Sequence, residues 1–185
     1  MGTNKVILLL LALSGALVAW MFFGLDPEFR HLSGAGGFLD ARLSGYEADA
    51  VRGLQAALAD PARAEARDLL QLMYLGPDLV LPFALTLSLC LLFRGYAPGV
   101  VLYGRRLDVR HAWLLCLLPI AYGVFDYLEN FGFLSYFPPA EPGPWLAENL
   151  PNVLPWVTRV KFVLLFVSAL LALRVTVFSG RSDGR

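Results

Sequence analysis

Apolar residues along this chain gather in four long runs, at about 6–24, 74–94, 111–132 and 153–174, separated by shorter polar stretches. A helix needs about 20 apolar residues to cross a hydrocarbon layer about 30 Å thick, so each run predicts a membrane-crossing helix. The first run, VILLLLALSGALVAWMFF, follows Lys5 as the core of a signal peptide would. Its length, and the bulky Trp20, Met21, Phe22 and Phe23 where small residues would mark a cleavage site, predict an uncleaved span instead. Within it Ala12 with Ala16, and Gly15 with Ala19, form small-x-x-x-small pairs. Such faces let helices approach closely, inside the bundle or between copies in a homo-oligomer.

The connections carry their own patterns. Ser33 to Gly37 (SGAGG) reads as a turn, and after Ser44 and Gly45 the stretch YEADAVRGLQAALA places Ala50, Val51, Leu54, Ala57 and Leu58 on one helical face. Asp60 then suits an N-cap and Pro61 the first position of a second helix, PARAEARDLLQLMYL, running into span two. This predicts a helical hairpin over about 45–73 on the outer face, which either seals the bundle or covers a site beneath it. Between spans three and four, FLSYFPPAEPGPWLAENLPNVLPW holds prolines expected to limit regular helix. Its Tyr136, Phe137, Trp145 and Trp156 suit a headgroup-level anchor.

Composition agrees with a membrane chain: 57% of residues are apolar and 16% charged, against about 25% charged in soluble domains. A net charge of zero gives no strong field, and no nucleic-acid partner is expected. Cys90 and Cys116 lie inside apolar runs, which excludes a disulfide scaffold and argues against structural zinc; they read as buried thiols that approach near the cytoplasmic end. His31 and His111 fall at or beyond apolar boundaries, unlike the axial pair of a haem bundle.

Orientation follows from the basic residues. The 94–110 connection holds Arg94, Arg105, Arg106 and Arg110 against Asp108, and the tail holds Arg174, Arg181 and Arg185 against Asp183. Residues 25–73 instead carry eight acids and five arginines, and 133–152 has Glu141 and Glu148 with no base. The expectation is an all-α, four-transmembrane-helix bundle forming a single membrane domain over 1–185. It would cross the cell (inner or plasma) membrane with both termini cytoplasmic, in contact with membrane lipid.

Ionisable residues inside spans are costly and usually face a bundle interior or water. Here they are Asp78, Asp126, Glu129, Arg159 and Lys161. Asp78 lies 16 positions from Arg94, and Asp126 lies 16 from Arg110, a rise of roughly 24 Å each. Arg159 and Lys161 lie 15 and 13 positions from Arg174, or roughly 20–22 Å. Opposite charges from three spans thus reach one level in the outer leaflet. Tyr122, Asp126, Glu129 and Asn130 share one helical stripe; Tyr74, Asp78 and Pro82 recur every four residues, and Pro82 frees a backbone carbonyl near Asp78. Thr158 shares a face with Lys161, with Arg159 about 100° away from that face. A polar pocket opening outward is predicted from Tyr74, Asp78, Tyr122, Asp126, Glu129, Asn130, Arg159 and Lys161.

Three readings of that pocket stay open. It is an ion-paired network, with Asp126 or Glu129 on Arg159 and Asp78 on Lys161. Alternatively it is a binding or transport site for a small polar or anionic molecule, or a lipid headgroup, with Arg159 and Lys161 as cationic contacts. Or it is an intramembrane enzyme acting on a lipid or membrane-soluble substrate, with Asp126 or Asp78 as general base and Glu129 assisting or holding a hard divalent cation. No H-E-x-x-H, G-x-S-x-G, C-x-x-C or P-loop occurs, and no cofactor or resident metal is expected.

The Gly45–Tyr46 start of the hairpin, Asp78 with Pro82, and FDYLEN at 125–130 together resemble a set of small four-span bacterial integral membrane proteins of unestablished function. The likeness covers most of 44–131. It implies the same topology and marks Asp78, Asp126, Glu129 and Asn130 as important residues.

Overall fold

The structure, a computed structural model, describes residues 2–42, 45–102 and 104–179. Ser44 and the tail charges Arg181, Asp183 and Arg185 lie outside the described residues. The described chain is all-helical apart from a two-residue antiparallel ladder of β1 (Val101–Leu102) with β2 (Arg105–Arg106). Four helical rods, Thr3–Ser33, Pro61–Tyr96, Val109–Tyr136 and Pro144–Val177, are long and apolar enough to cross a membrane. Large side chains such as Leu8, Phe83, Leu117, Phe131 and Phe166 project outward from them. Apolar patches of that extent mark a surface that contacts something other than water.

The first rod outruns the expected span. Its helix α1 (Thr3–Trp20) continues through a π-helical turn, Met21–Leu25, into α2 (Asp26–Ser33). Pro27 has no N–H for the carbonyl of Phe23, and the turn before it widens. Gly34, at φ 62°, closes α2 in a left-handed cap. Residues 34–42 and 45–47 then fold back over the helices. Asp26 fastens this loop: its Oδ1 accepts the Phe38 N–H at 2.8 Å and its Oδ2 accepts from Arg30 at 2.7 Å. A side chain at Gly37 would run into the same carboxylate. Phe38, Leu39 and Asp40 are buried as a result.

The two helices expected before span two are present. In α3 (Ala48–Leu58) the predicted face buries Val51, Leu54 and Leu58, mainly against the last rod. Asp60 caps the next helix, accepting the Ala62 N–H at 3.0 Å, and Pro61 opens a short 3₁₀ turn into α4 (Ala64–Leu75). Gly76 joins α4 to α5 (Pro77–Tyr96) with φ −110° and ψ −105°. A Cβ there would sit 2.6 Å from the Leu72 carbonyl, so the joint requires glycine. Asp78 consequently falls in the first turn of α5, where the helix dipole favours an acid.

The last two rods are α6 (Val109–Tyr136) and α7 (Pro144–Ser179). Contrary to the expectation for the proline-rich connection, α7 begins at Pro144 and runs through Pro151 and Pro155. Those prolines release the carbonyls of Ala147 and Pro151, and Ala147 lies on the exposed side of the helix.

α5, α6 and α7 pack on one another, and α1 packs on α5, its buried or half-buried side being Ile7, Leu10, Ser14 and Leu17. The small residues Ala12, Gly15, Ala16 and Ala19 face away from the bundle and take no part in its internal packing. Two apolar clusters form the core. One joins Phe29, Phe38, Tyr74, Phe133 and Phe137 with the buried face of α3. The other, at the far end, joins Phe93, Val100, Cys116 and Val175. There Cys90 and Cys116 meet across α5 and α6, each Sγ within 3.8 Å of the other's backbone oxygen, and both are free thiols. Between the two clusters lies a layer of charge.

Candidate functional site

The stripe on α6 points inward as its spacing required: Tyr122, Asp126, Glu129 and Asn130 are all buried. α7 supplies Thr158 and Lys161, and α5 supplies Asp78. Lys161 Nζ lies 3.0 Å from Asp126 Oδ1 and is also ion-paired with Glu129 Oε2. The other oxygen of Glu129 meets the Thr158 hydroxyl and accepts from Tyr46 Oη at 3.3 Å. Tyr46 Oη is 2.8 Å from Thr158 Oγ1, so the two hydroxyls and the carboxylate form one chain across the loop, α6 and α7.

α5 joins this layer through its backbone. Pro82 cannot donate to the Asp78 carbonyl, and Asn130 Nδ2 donates to that carbonyl at 3.0 Å. One turn away, Tyr127 Oη donates to the Leu79 carbonyl at 2.9 Å. Lower down, Thr86 Oγ1 donates to the Pro119 carbonyl at 3.0 Å, close to Gly123, where a Cβ would meet the threonine oxygen at 2.7 Å.

The ion pairing differs from the sequence expectation in two respects. Arg159 does not pair with Asp126 or Glu129; its guanidinium binds Glu47 at 2.6 Å and lies over the Trp156 ring, 5.2 Å from its centre. Arg159 and Lys161 are two residues apart, about 200° around a helix, so only one can face the interior. Arg159 stays half-exposed, where a charge retains much of its hydration. Nor does Asp78 pair with Lys161: among the described residues Asp78 forms no ion pair, and the lysine is taken up by the two α6 carboxylates.

A fourth acid, Asp40, was not anticipated. Its carboxylate accepts the Tyr74 hydroxyl at 3.2 Å, beside an aromatic train in which Phe29 stacks on Phe38, Phe38 meets Tyr74 edge-on and Tyr74 stacks on Phe133. Burial pushes Asp40 up to about 7; Lys161 opposes the shift while Glu129 and Asp126 add to it. Burial, with Glu129 nearby, likewise raises the Tyr46 hydroxyl. The available signal was the pair of bulky residues Phe38 and Leu39 beside the acid, directly after a glycine-rich turn. A loop meant for water has little use for them.

Four buried carboxyls therefore surround one ammonium. Asp78 Oδ2, Asp126 Oδ2 and Asn130 Oδ1 are buried without a hydrogen-bond partner among the described residues. No three His, Cys, Asp or Glu side chains among those residues are arranged to cage a metal ion, and the cation that the α6 carboxylates hold is Lys161.

Beside this layer is a partly open cavity of about 310 Å³. Asp40, Asp78, Tyr122, Asp126 and Lys161 form its polar wall. Leu81 and Leu85 of α5 and Leu165 of α7 continue it downward as an apolar wall. Val18, Met21 and Phe22 close it on the side of the first rod. α1 and α7 both line the cavity but are not packed along each other, and Val18 and Phe22 are substantially exposed. No family model matches the chain, and no curated protein and no solved structure matches it.

Proposed function

We propose that this chain is an integral membrane protein that receives the polar head of a membrane-soluble amphiphile in the carboxylate-lined cavity between its spans. In this reading it crosses the cell membrane four times with both termini cytoplasmic. The arginine-rich 94–110 connection lies on the inner side, and α3, α4 and the charged layer lie toward the outer face.

One observation carries the reading: a single cavity is lined both by Asp78 and Asp126, each with a buried carboxylate oxygen that has no partner among the described residues, and by apolar walls, and it lies between two helices that are not packed along each other. A purely structural ion-pair network accounts for Lys161 with Asp126 and Glu129. It leaves Asp78 and the empty volume without a role. An anionic ligand loses its expected contact because Arg159 is turned to Glu47 and Lys161 is already held by two carboxylates.

The test is purification in native membrane discs, followed by mass spectrometry of the co-purified small molecules. Val18→Trp places a bulky ring in the cavity from an exposed position. A species enriched over the bulk lipids in wild type, and reduced about tenfold in the variant, supports the reading. The same molecules in the same amounts from both proteins would refute it.

A further inference from the structure

Building on the cavity reading above, we infer that the occupant is an amine: a single-chain amphiphile with a protonated amino head, entering sideways between α1 and α7. The argument starts from charge. Asp40, Asp78, Asp126 and Glu129 are all buried, and the cavity layer holds one ammonium, Lys161, already engaged by Asp126 and Glu129. Uncompensated charge in a low-dielectric interior is strongly unfavourable, so the layer is completed either by protons or by a second cation. Phosphate, sulfate and carboxylate heads would add to the excess.

Hydrogen bonding narrows the class. Asp78 Oδ2 and Asp126 Oδ2 are both acceptors without donors, and both residues line the cavity. A protonated primary amine brings three N–H donors and no acceptor. Charge-assisted bonds of this kind are roughly twice as strong as neutral ones, so an alcohol of the same length gains less. A small hydrophilic amine would satisfy the carboxylates but leave the aliphatic wall of Leu81, Leu85 and Leu165 unmatched. Leu85 is seven residues beyond Asp78, so that wall extends about 10 Å from the acids, enough for the first part of an alkyl chain. The gap between α1 and α7 faces the hydrocarbon, the phase in which such a molecule is dissolved.

The experiment uses the full chain in nonionic micelles, incubated at neutral pH with dodecylamine, dodecanol, dodecanoic acid or dodecyltrimethylammonium, with native mass spectrometry to count the retained molecules. Wild type is expected to retain dodecylamine about tenfold better than dodecanol, and dodecanoic acid least. The trimethylammonium compound, with charge but no N–H donors, falls between the amine and the alcohol. Val18→Trp removes the retention of all of them. Asp78→Asn, at a residue with no ion pair to lose, brings dodecylamine down to the level of dodecanol. Should Asp78→Asn fail to fold, the ranking of the four heads in wild type and its loss in Val18→Trp decide. If dodecanol is retained as well as dodecylamine and Val18→Trp removes both, the amine is wrong and the cavity reading survives. Retention of any head that Val18→Trp does not reduce overturns both.

Discussion

Pro82 and Asn130 act as one device, and a double-mutant cycle measures it. Pro82 leaves the Asp78 carbonyl without its helical donor, and Asn130 Nδ2 replaces that donor at 3.0 Å from the neighbouring helix. Asn130 is 1% exposed, so water does not take over when the amide is removed. Asn130→Leu, the same in branching though bulkier, strands a buried carbonyl, which costs about 1–3 kcal/mol. Asn130 Oδ1 is itself unpartnered, and leucine removes that unmet acceptor too. The net loss is therefore expected at the lower end, about 1–2 kcal/mol. In a Pro82→Ala background residue 82 regains an N–H and can close the helical bond to the same carbonyl. Asn130→Leu should then cost clearly less, with a coupling of about 1 kcal/mol. The assay is unfolding by dodecyl sulfate titration in mixed micelles, followed by helicity, for the four variants of the cycle. Equal losses in both backgrounds would refute the claim that this carbonyl ties α5 to α6.

Three further outcomes follow from the layer. Lys161→Met should destabilise the chain by about 3–5 kcal/mol by leaving Asp126 and Glu129 unpaired, with partial recovery on adding Glu129→Gln, whereas Arg159→Gln should change stability by no more than about 1 kcal/mol; similar losses in the same unfolding titration would contradict the pairing described. Asp40 holds its proton in the folded state up to about pH 7, whereas the unfolded chain releases it near the ordinary value of 3.8. Stability should therefore be highest in acid and fall as pH rises between those values, by at most about 1.4 kcal/mol per unit, then level off. Thermal unfolding across this range should show a flatter profile for Asp40→Asn, and an unchanged slope would count against Asp40 as its source. Gly123→Val should separate α5 from α6 at Thr86, where even a Cβ comes within 2.7 Å, lowering the melting temperature far more than Val124→Ala on the exposed side of α6.

Much of the layer was legible because charge in an apolar run has few reasons to be there. The spacing of Tyr122, Asp126, Glu129 and Asn130 fixed their common face, and Pro82 announced the carbonyl that Asn130 now meets. Two parts were hidden for physical reasons. Arg159 and Lys161 stood at nearly one depth, and depth counting alone cannot say which one the helix turns inward. Here the less buried alternative fell to Arg159, which found Glu47 and Trp156 at the surface. Asp40 sits in a loop with no period to read, and its burial depends on the Asp26 clasp, a contact across 12 residues. The extension of α7 through two prolines was unreadable for a similar reason, since local propensity speaks against it and tertiary packing overrides it.

Helices surrounded by hydrocarbon gain little from apolar contact, so one could slide along another at small cost. The Lys161 ammonium between Asp126 and Glu129 removes that freedom for α7. A slip of one turn, about 5.4 Å, would bring Leu165 or Val157 to the level of the carboxylates and leave Lys161, Asp126 and Glu129 unpaired together. The layer thus works as an index mark that sets the height of α7 against its neighbour in a medium offering no other vertical reference.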